Sequence, residues 1–339
     1  MNNAQREQIV DGSRPAGGFI SFIREGHNLQ TLATLLVLGL MCAIFAALSD
    51  RFLTVSNSQN IMRNAAPLIV ASCGMTAVMI ARGLDLSVGS VLAASSVLAA
   101  SLAVAGVPLY AAFALGVIFG GSVGLLNGMI IAKLSVSPII VTLGMLNIAR
   151  GIAYLITPSA ILVGLPRNWS DLGTSKLLGL PLPIIIAIIV AGLFHIMMSY
   201  TIFGKRIYAI GGNEEAARLS GINVPRTLVS LYILCGATAA IAGIVLSSRV
   251  GAGDPNIGVG FELQVIAAVI IGGTSLSGGE GRIIGSVIGA LIIAVLANGL
   301  NLAGVEPFWQ WVAQGIVLIV AIIIDRQVQD GMMSVKRKG

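Results

Sequence analysis

Charge is what this sequence has least of: Asp, Glu, Lys and Arg together make up 10% of its 339 residues, against about 25% in an average soluble domain. A soluble globule of that length needs far more polar surface, so the water-soluble fold classes are excluded. Aromatic residues are also sparse, at 5%, and there are two histidines and three cysteines. Cys42, Cys73 and Cys235 lie in apolar runs and form no C-x-x-C pair, which excludes a disulfide framework and a cysteine-based metal site. No G-x-x-x-x-G-K-[ST] phosphate loop occurs, since Gly204-Lys205 is followed by Arg206. H-E-x-x-H and G-x-S-x-G are absent as well, so no catalytic residue, metal ligand or cofactor site is expected. The first 30 residues carry Arg6, Glu7, Asp11, Arg14, Arg24 and Glu25 without an apolar core, which is not the pattern of a cleavable signal peptide.

Apolar residues are abundant, at 56% with a mean hydropathy of +0.94. About 20 consecutive apolar residues cross a bilayer as one helix, and a chain in lipid must satisfy its backbone internally as helices or as a closed barrel. The apolar runs here are continuous and lack the alternation of barrel strands. The expectation is an all-α polytopic membrane protein whose solvent is the bilayer. Its spans fall near 31–49, 65–81, 86–105, 109–132, 138–157, 181–203, 227–248, 263–274, 283–303 and 308–325, about ten in all. The eighth is short and glycine-interrupted, as a half-helix would be. This leaves residues 1–30 as an N-terminal segment, 31–326 as one membrane domain and 327–339 as a tail.

The net charge of +6 does not indicate nucleic-acid binding, because the basic residues lie between spans. With both termini in the cytoplasm, fourteen of the twenty Lys and Arg face inward, among them Arg82, Lys133, Lys205, Arg206, Arg218, Arg226 and Arg282. Arg51, Arg63, Arg150, Arg167, Lys176 and Arg249 face outward. That bias obeys the positive-inside rule, and it puts Trp169, Trp309 and Trp311 at or beyond the outer interface as an aromatic belt.

The most polar stretch between spans is 204–226. There Asn213 is placed to N-cap a short helix over Glu214–Leu219, with Glu214 and Glu215 in its first turn and Gly221 as its stop. Such a helix offers a docking surface made from Asn213, Glu214, Glu215, Ala216, Ala217, Arg218 and Gly221. Within the spans, Gly116, Gly120, Gly124 and Gly128 form a stripe that lets helix backbones approach closely, with Asn127 beside it. Asn147 lies in the fifth span, Asn298 and Asn301 in the ninth, and Gln310 and Gln314 in the tenth. Amides without charges suit a path for a neutral, hydroxyl-rich solute. Asp85, close to Ser87, is an acid at membrane depth; it is read as a cap for the following helix in preference to a proton site. Residues 79–89 and 269–279 share Ile, Gly, Leu, Ser and Gly at corresponding positions, and two glycine-interrupted segments of this kind point to discontinuous helices along a transport path. Ser277 belongs to the second copy.

Several runs together resemble the permease subunit of ribose-type, binding-protein-dependent ABC importers: DRFLTVSN at 50–57, GLDLSVGS at 83–90, SPIIVTLGMLNIARG at 137–151, GGNEEAARLSGI at 211–222 and IGGTSLSGGEGRIIG at 271–285. The resemblance covers about residues 30 to 326. It implies a type II importer bundle, a second copy of the chain completing the path, a cytoplasmic ABC ATP-binding subunit that binds the ATP, and a periplasmic sugar-binding protein. It makes 204–226 the coupling loop of an inner-membrane importer for a ribose-like monosaccharide. Leu276-Ser277-Gly278-Gly279 imitates the signature tetrapeptide of ABC ATPases, but without a phosphate loop no ATPase activity is expected of this chain. Permeases for branched-chain amino acids, nucleosides or polyols remain open alternatives. So does an ion-coupled carrier, which would need more intramembrane acids than Asp85.

Overall fold

The computed structural model describes residues 17–157 and 161–336, and side chains within 31–157 and 161–323. The N-terminal residues before 17, with Arg6 and Arg14, and the last three of the tail lie outside the described residues. Among the described residues thirteen helices carry the fold: α1 (Gly17–Leu48), α2 (Val55–Ile80), α3 (Val88–Val104), α4 (Leu109–Leu134), α5 (Pro138–Ile156), α6 (Asp171–Thr174), α7 (Leu182–Tyr200), α8 (Ile202–Gly212), α9 (Glu214–Leu219), α10 (Val224–Val250), α11 (Phe261–Ile271), α12 (Ile283–Leu302) and α13 (Pro307–Lys336). Seven are long and apolar enough to cross a membrane, and α3, α11 and Pro307–Ile323 of α13 are shorter apolar helices. These account for the ten expected spans. The chain is an all-α polytopic membrane protein. Among the described residues its sheet is one hairpin, β1 (Lys176–Leu177) with β2 (Leu180–Pro181).

Several helices run past the ends of the expected spans into more polar sequence. α1 begins at Gly17, inside the segment read as a non-membrane N-terminus, and its apolar part is Thr31–Leu48. α2 begins at Val55, ten residues before the expected start. Thr54 caps it by accepting the Asn57 N–H at 3.3 Å. α13 continues past the expected end near 325 to Lys336.

Five helices form the centre: α2, α10 and α12 among the long ones, with the short α3 and α11, most of whose residues are buried. In α2 78% of the apolar window is buried, against 6% in α1. α10 and α12 resemble α2, while α4, α5 and α7 turn most of their surface outward. The glycine stripe of α4 seats that helix on α10 at backbone distance. A methyl group at Gly128 would lie 2.8 Å from Val229 Cα, and Gly120 and Gly124 face Gly236 and Tyr232 as closely. In lipid, where burial of apolar surface gives helices little reason to associate, such close packing is a principal source of cohesion. α11 has only 11 residues, about 16 Å at 1.5 Å per residue. That is roughly half of a 30 Å hydrocarbon layer, so α11 is the expected half-helix.

Trp169 is not part of an aromatic belt. It is fully buried between α4 and α10, with its ring 5.1 Å from that of Phe113 and its carbonyl accepting from the Ser248 hydroxyl. A four-residue 3-10 turn, Arg167–Ser170, folds it inward. Trp309 and Trp311 are exposed.

Candidate translocation cavity and coupling helices

Asn57, Asn60 and Asn64 recur at helical spacing and share one face of α2. That face lines a cavity of about 470 Å³, together with Gln264 of α11, Asn298 and Asn301 of α12, and Gln310 and Gln314 of α13. Eight amides therefore surround the space, and Arg249 at the end of α10 is the one charged residue among its lining. The amides are anchored on one side. Asn57 and Asn298 exchange reciprocal hydrogen bonds, Nδ2 to Oδ1, at 3.0 and 2.9 Å, and Asn57 Nδ2 also donates to the Phe52 carbonyl at 2.9 Å. Arg249 donates to Asn64 Oδ1, and Gln310 donates to the Val305 carbonyl at 3.2 Å. What remains is an uncharged set of donors and acceptors with apolar patches from Trp311, Phe261 and Ile293.

Four of the nine residues read as lining a path, Asn298, Asn301, Gln310 and Gln314, meet in this cavity. Three others gather elsewhere, in a buried cluster at the turn before α3. There Asp85 Oδ1 accepts the Ser87 N–H at 2.9 Å and the Ser87 hydroxyl at 2.5 Å, and Asn127 Nδ2 donates to Ser87 Oγ at 3.1 Å. Asp85 thus closes a two-residue turn onto Ser87, which is itself the N-cap and makes no side-chain cap bond. The acid organises the entrance to α3 and does not cap it in the strict sense, because the N–H it takes precedes the helix. Asn147 faces outward from α5, donating to the Leu143 carbonyl at 3.3 Å. Ser277 lies in an exposed turn and does not line the cavity. Sequence reasoning missed Asn57, Asn60 and Asn64 because it placed them outside the spans, although their spacing of three and four was an available signal; it missed Gln264, inside the eighth span, because no second amide lies beside it there. It also missed Glu262, in the first turn of α11, whose carboxylate abuts Gly89 at the start of α3.

The polar stretch after α7 is two helices, where one was expected. Thr201 caps α8 by accepting the Gly204 N–H at 3.1 Å. Asn213 caps α9 by accepting the Ala216 N–H at 3.0 Å. α9 then ends in a Schellman motif: Gly221, at φ 82°, donates to the Arg218 carbonyl, and Ile222 donates to that of Ala217. Glu214, Glu215, Ala216, Arg218 and Leu219 are exposed, and Arg218 pairs with Glu215 at 2.8 Å. Ala217 faces the other way. It is 4% exposed and packs into the central core, so the outward apolar contact of α9 is Leu219, at 80% exposure. Burial raises the pKa of the Tyr208 hydroxyl on α8, which keeps it protonated and donating to the Gly281 carbonyl at 2.8 Å.

The two repeat segments end their helices alike. Arg82 at φ 64° and Gly273 at φ 85° hold the same place in two Schellman endings, with Gly83 donating to Val78 and Thr274 to Val269, but the second ending falls one residue later than the alignment of 79–89 with 269–279 places it. The first copy then opens α3 at once, whereas Leu276–Gly279 forms a turn and α12 waits until Ile283. The helix ending recurs; the opening of a following helix does not.

Comparison with known proteins agrees with this architecture. The family model for branched-chain amino acid transport system / permease components matches residues 57–322. The ribose import permease protein RbsC of Bacillus subtilis (strain 168) is 42% identical over 301 residues, covering 88% of this chain and 94% of the relative. The D-allose transport system permease protein AlsC of Escherichia coli (strain K12) is 38% identical over 295 residues, 86% and 90% of the two chains. The L-arabinose transport system permease protein AraH of the same organism is 37% identical over 326 residues, 96% and 98%. No solved structure matches. With ten apolar helices, five of which line a polar cavity, and a family match over most of its length, the chain belongs to the branched-chain amino acid transport system / permease component family.

Proposed function

We propose that this chain is the membrane permease of an ABC importer for a simple sugar, working as a pair of copies with a cytoplasmic ATP-binding subunit and an extracytoplasmic sugar-binding protein. The amide-lined cavity carries the reading. Its volume of about 470 Å³ falls within the roughly 300–1,000 Å³ of small-molecule sites. Eight amides can exchange donors and acceptors with hydroxyl groups without holding a neutral solute tightly, which suits a path. The curated relatives, named for ribose, allose and arabinose, support the same substrate class. A branched-chain amino acid fits less well, because its ammonium group needs an anionic or strongly accepting partner once desolvated and no carboxylate lines the cavity.

In this reading the cavity faces the outer side, and α8 and α9, at the opposite end with most of the basic residues, face the cytoplasm. ATP binding in the partner subunit displaces α8 and α9, and the two ends of the bundle open in alternation. This chain contributes no hydrolytic residue. A solute shifts such an equilibrium only by its differential affinity for the two states, so a weakly binding amide lining is sufficient and selection rests with the binding protein.

The test is sugar uptake by proteoliposomes holding this chain, its ATP-binding subunit and its sugar-binding protein. One amide–hydroxyl bond contributes about 0.5–1.5 kcal/mol net. Asn60→Leu and Gln314→Leu are therefore each expected to lower uptake about threefold to tenfold, with the ATP-binding subunit still bound. Wild-type uptake in both variants would move the path out of this cavity.

A further inference from the structure

Three stretches of chain meet at backbone distance at the end opposite the cavity. The last carbonyl of α2, Ile80, accepts the Gly279 N–H at 2.8 Å. Gly211, near the end of α8, sits against both, so that any side chain there would overlap the Ile80 carbonyl and the Gly279 nitrogen. Arg82 leaves this junction in the left-handed region, at φ 64°, which favours glycine. Its side chain lies across α8: Nε donates to the Gly211 carbonyl at 2.7 Å and Nη2 to the Gly212 carbonyl at 2.9 Å. Those are terminal carbonyls of α8, at the negative end of its dipole, and a guanidinium fork matches two of them at once.

The chain on either side of this fork gives it mechanical meaning. Gly212 is joined to α9 by Asn213 alone, so a displacement of α9 arrives at the two carbonyls that Arg82 holds. Beyond Arg82 the chain runs into the buried turn, where the Leu84 carbonyl accepts from Tyr232 Oη of α10 at 3.3 Å and Thr142 Oγ1 of α5 at 3.4 Å. Three residues after Arg82, Asp85 holds Ser87, which in turn takes the Asn127 amide of α4. The glycine contact between Gly211 and Ile80 resists compression only. The two hydrogen bonds of Arg82 also resist separation.

We propose that Arg82 is a positioning residue that couples α8 to the membrane-embedded turn at Leu84–Ser87, and that it transmits the stroke in which α8 moves away from α2. The proposal rests on the reading of α8 and α9 as the elements that follow the ATP-binding subunit. Arg82→Gly removes both bonds while suiting the backbone angle, so relief of the left-handed conformation offsets part of what the bonds contribute to stability. Arg82→Lys keeps the charge without the fork.

The experiment measures, in the reconstituted importer, co-purification of the ATP-binding subunit, thermal stability of the complex, and sugar taken up per ATP hydrolysed. For Arg82→Gly, undiminished binding and at most a small fall in melting temperature are expected together with a fall of about tenfold in sugar per ATP, within the range of site-to-site coupling. Arg82→Lys should fall between this variant and wild type. A wild-type ratio in Arg82→Gly overturns the proposal. So does loss of the ATP-binding subunit, which would make Arg82 a docking contact instead. Leu219→Asp on α9 separates the underlying reading: if it still binds the ATP-binding subunit, docking lies elsewhere, and the sugar-per-ATP ratio of Arg82→Gly still decides the link.

Discussion

The helix α2 meets its neighbours in two different ways at its two ends. At the cavity end it meets α12 through side chains, Asn57 and Asn298, which exchange two amide hydrogen bonds. At the α8 end it meets α8 and the 278–281 turn through backbone, with glycines at the contacts. Amide side chains can rotate and trade a partner for water or a solute hydroxyl at little cost. Backbone contacts have no such freedom to trade partners: a push on one stretch is passed to the next, and separation is opposed only where a hydrogen bond, such as those of Arg82, spans the contact. One helix thus joins a region suited to exchanging partners with a region suited to moving as a unit, and the glycines mark the second as clearly as the asparagines mark the first.

The comparison breaks most sharply if the α8 end tolerates bulk. Gly211→Val would drive a branched side chain into the Ile80 carbonyl. The expected cost is about 3 kcal/mol, the upper end of overpacking penalties, read as a collapse in the yield of monodisperse protein in detergent and in its melting temperature. A melting temperature near wild type would show that this junction yields and is not a rigid contact. A smaller effect tests the cavity end. Asn298→Leu strands the Asn57 side chain in part and is expected to cost about 1 kcal/mol, while the double variant Asn57→Leu/Asn298→Leu recovers most of it. Thermal unfolding of the single and double variants gives the coupling directly; additive losses would mean that the pair is not a unit. The smallest effect is expected at the buried turn between the two ends. Asp85→Asn keeps the Oδ1 acceptor for Ser87, and asparagine serves such local turns about as well as aspartate, so uptake should stay within about twofold of wild type. Asp85→Ala should fall further. Abolished uptake in a well-assembled Asp85→Asn protein would give the carboxylate a charge-dependent role.

Hydropathy made the ten apolar helices and the half-length of α11 legible, because lipid imposes one period and one length on any chain that crosses it. The cap of α9 and its stop at Gly221 were legible for a similar reason: Asn213 and Gly221 act on neighbours three residues away or nearer. The amides of α2 were not, since Asn57, Asn60 and Asn64 look like loop residues until a cavity is known to lie beside them. Ala217 was misjudged because a six-residue helix with two alanines offers no period from which to tell its inner face from its outer one. The Arg82 contact joins positions separated by 129 residues, and the burial of Trp169 depends on Ser248, 79 residues on; nothing local announces either.

The brevity of α11 has a consequence for how the protein is made. Eleven residues are too few to be taken into a bilayer as a span on their own. α11 packs along α12 through Gly272 against Gly285 and Ala268 against Gly289, and those partners are synthesised after it. α11 also packs against α2, made before it, so a segment too short to span holds its place between an earlier helix and a later one, and its position in the membrane is set by the lipid affinity of both.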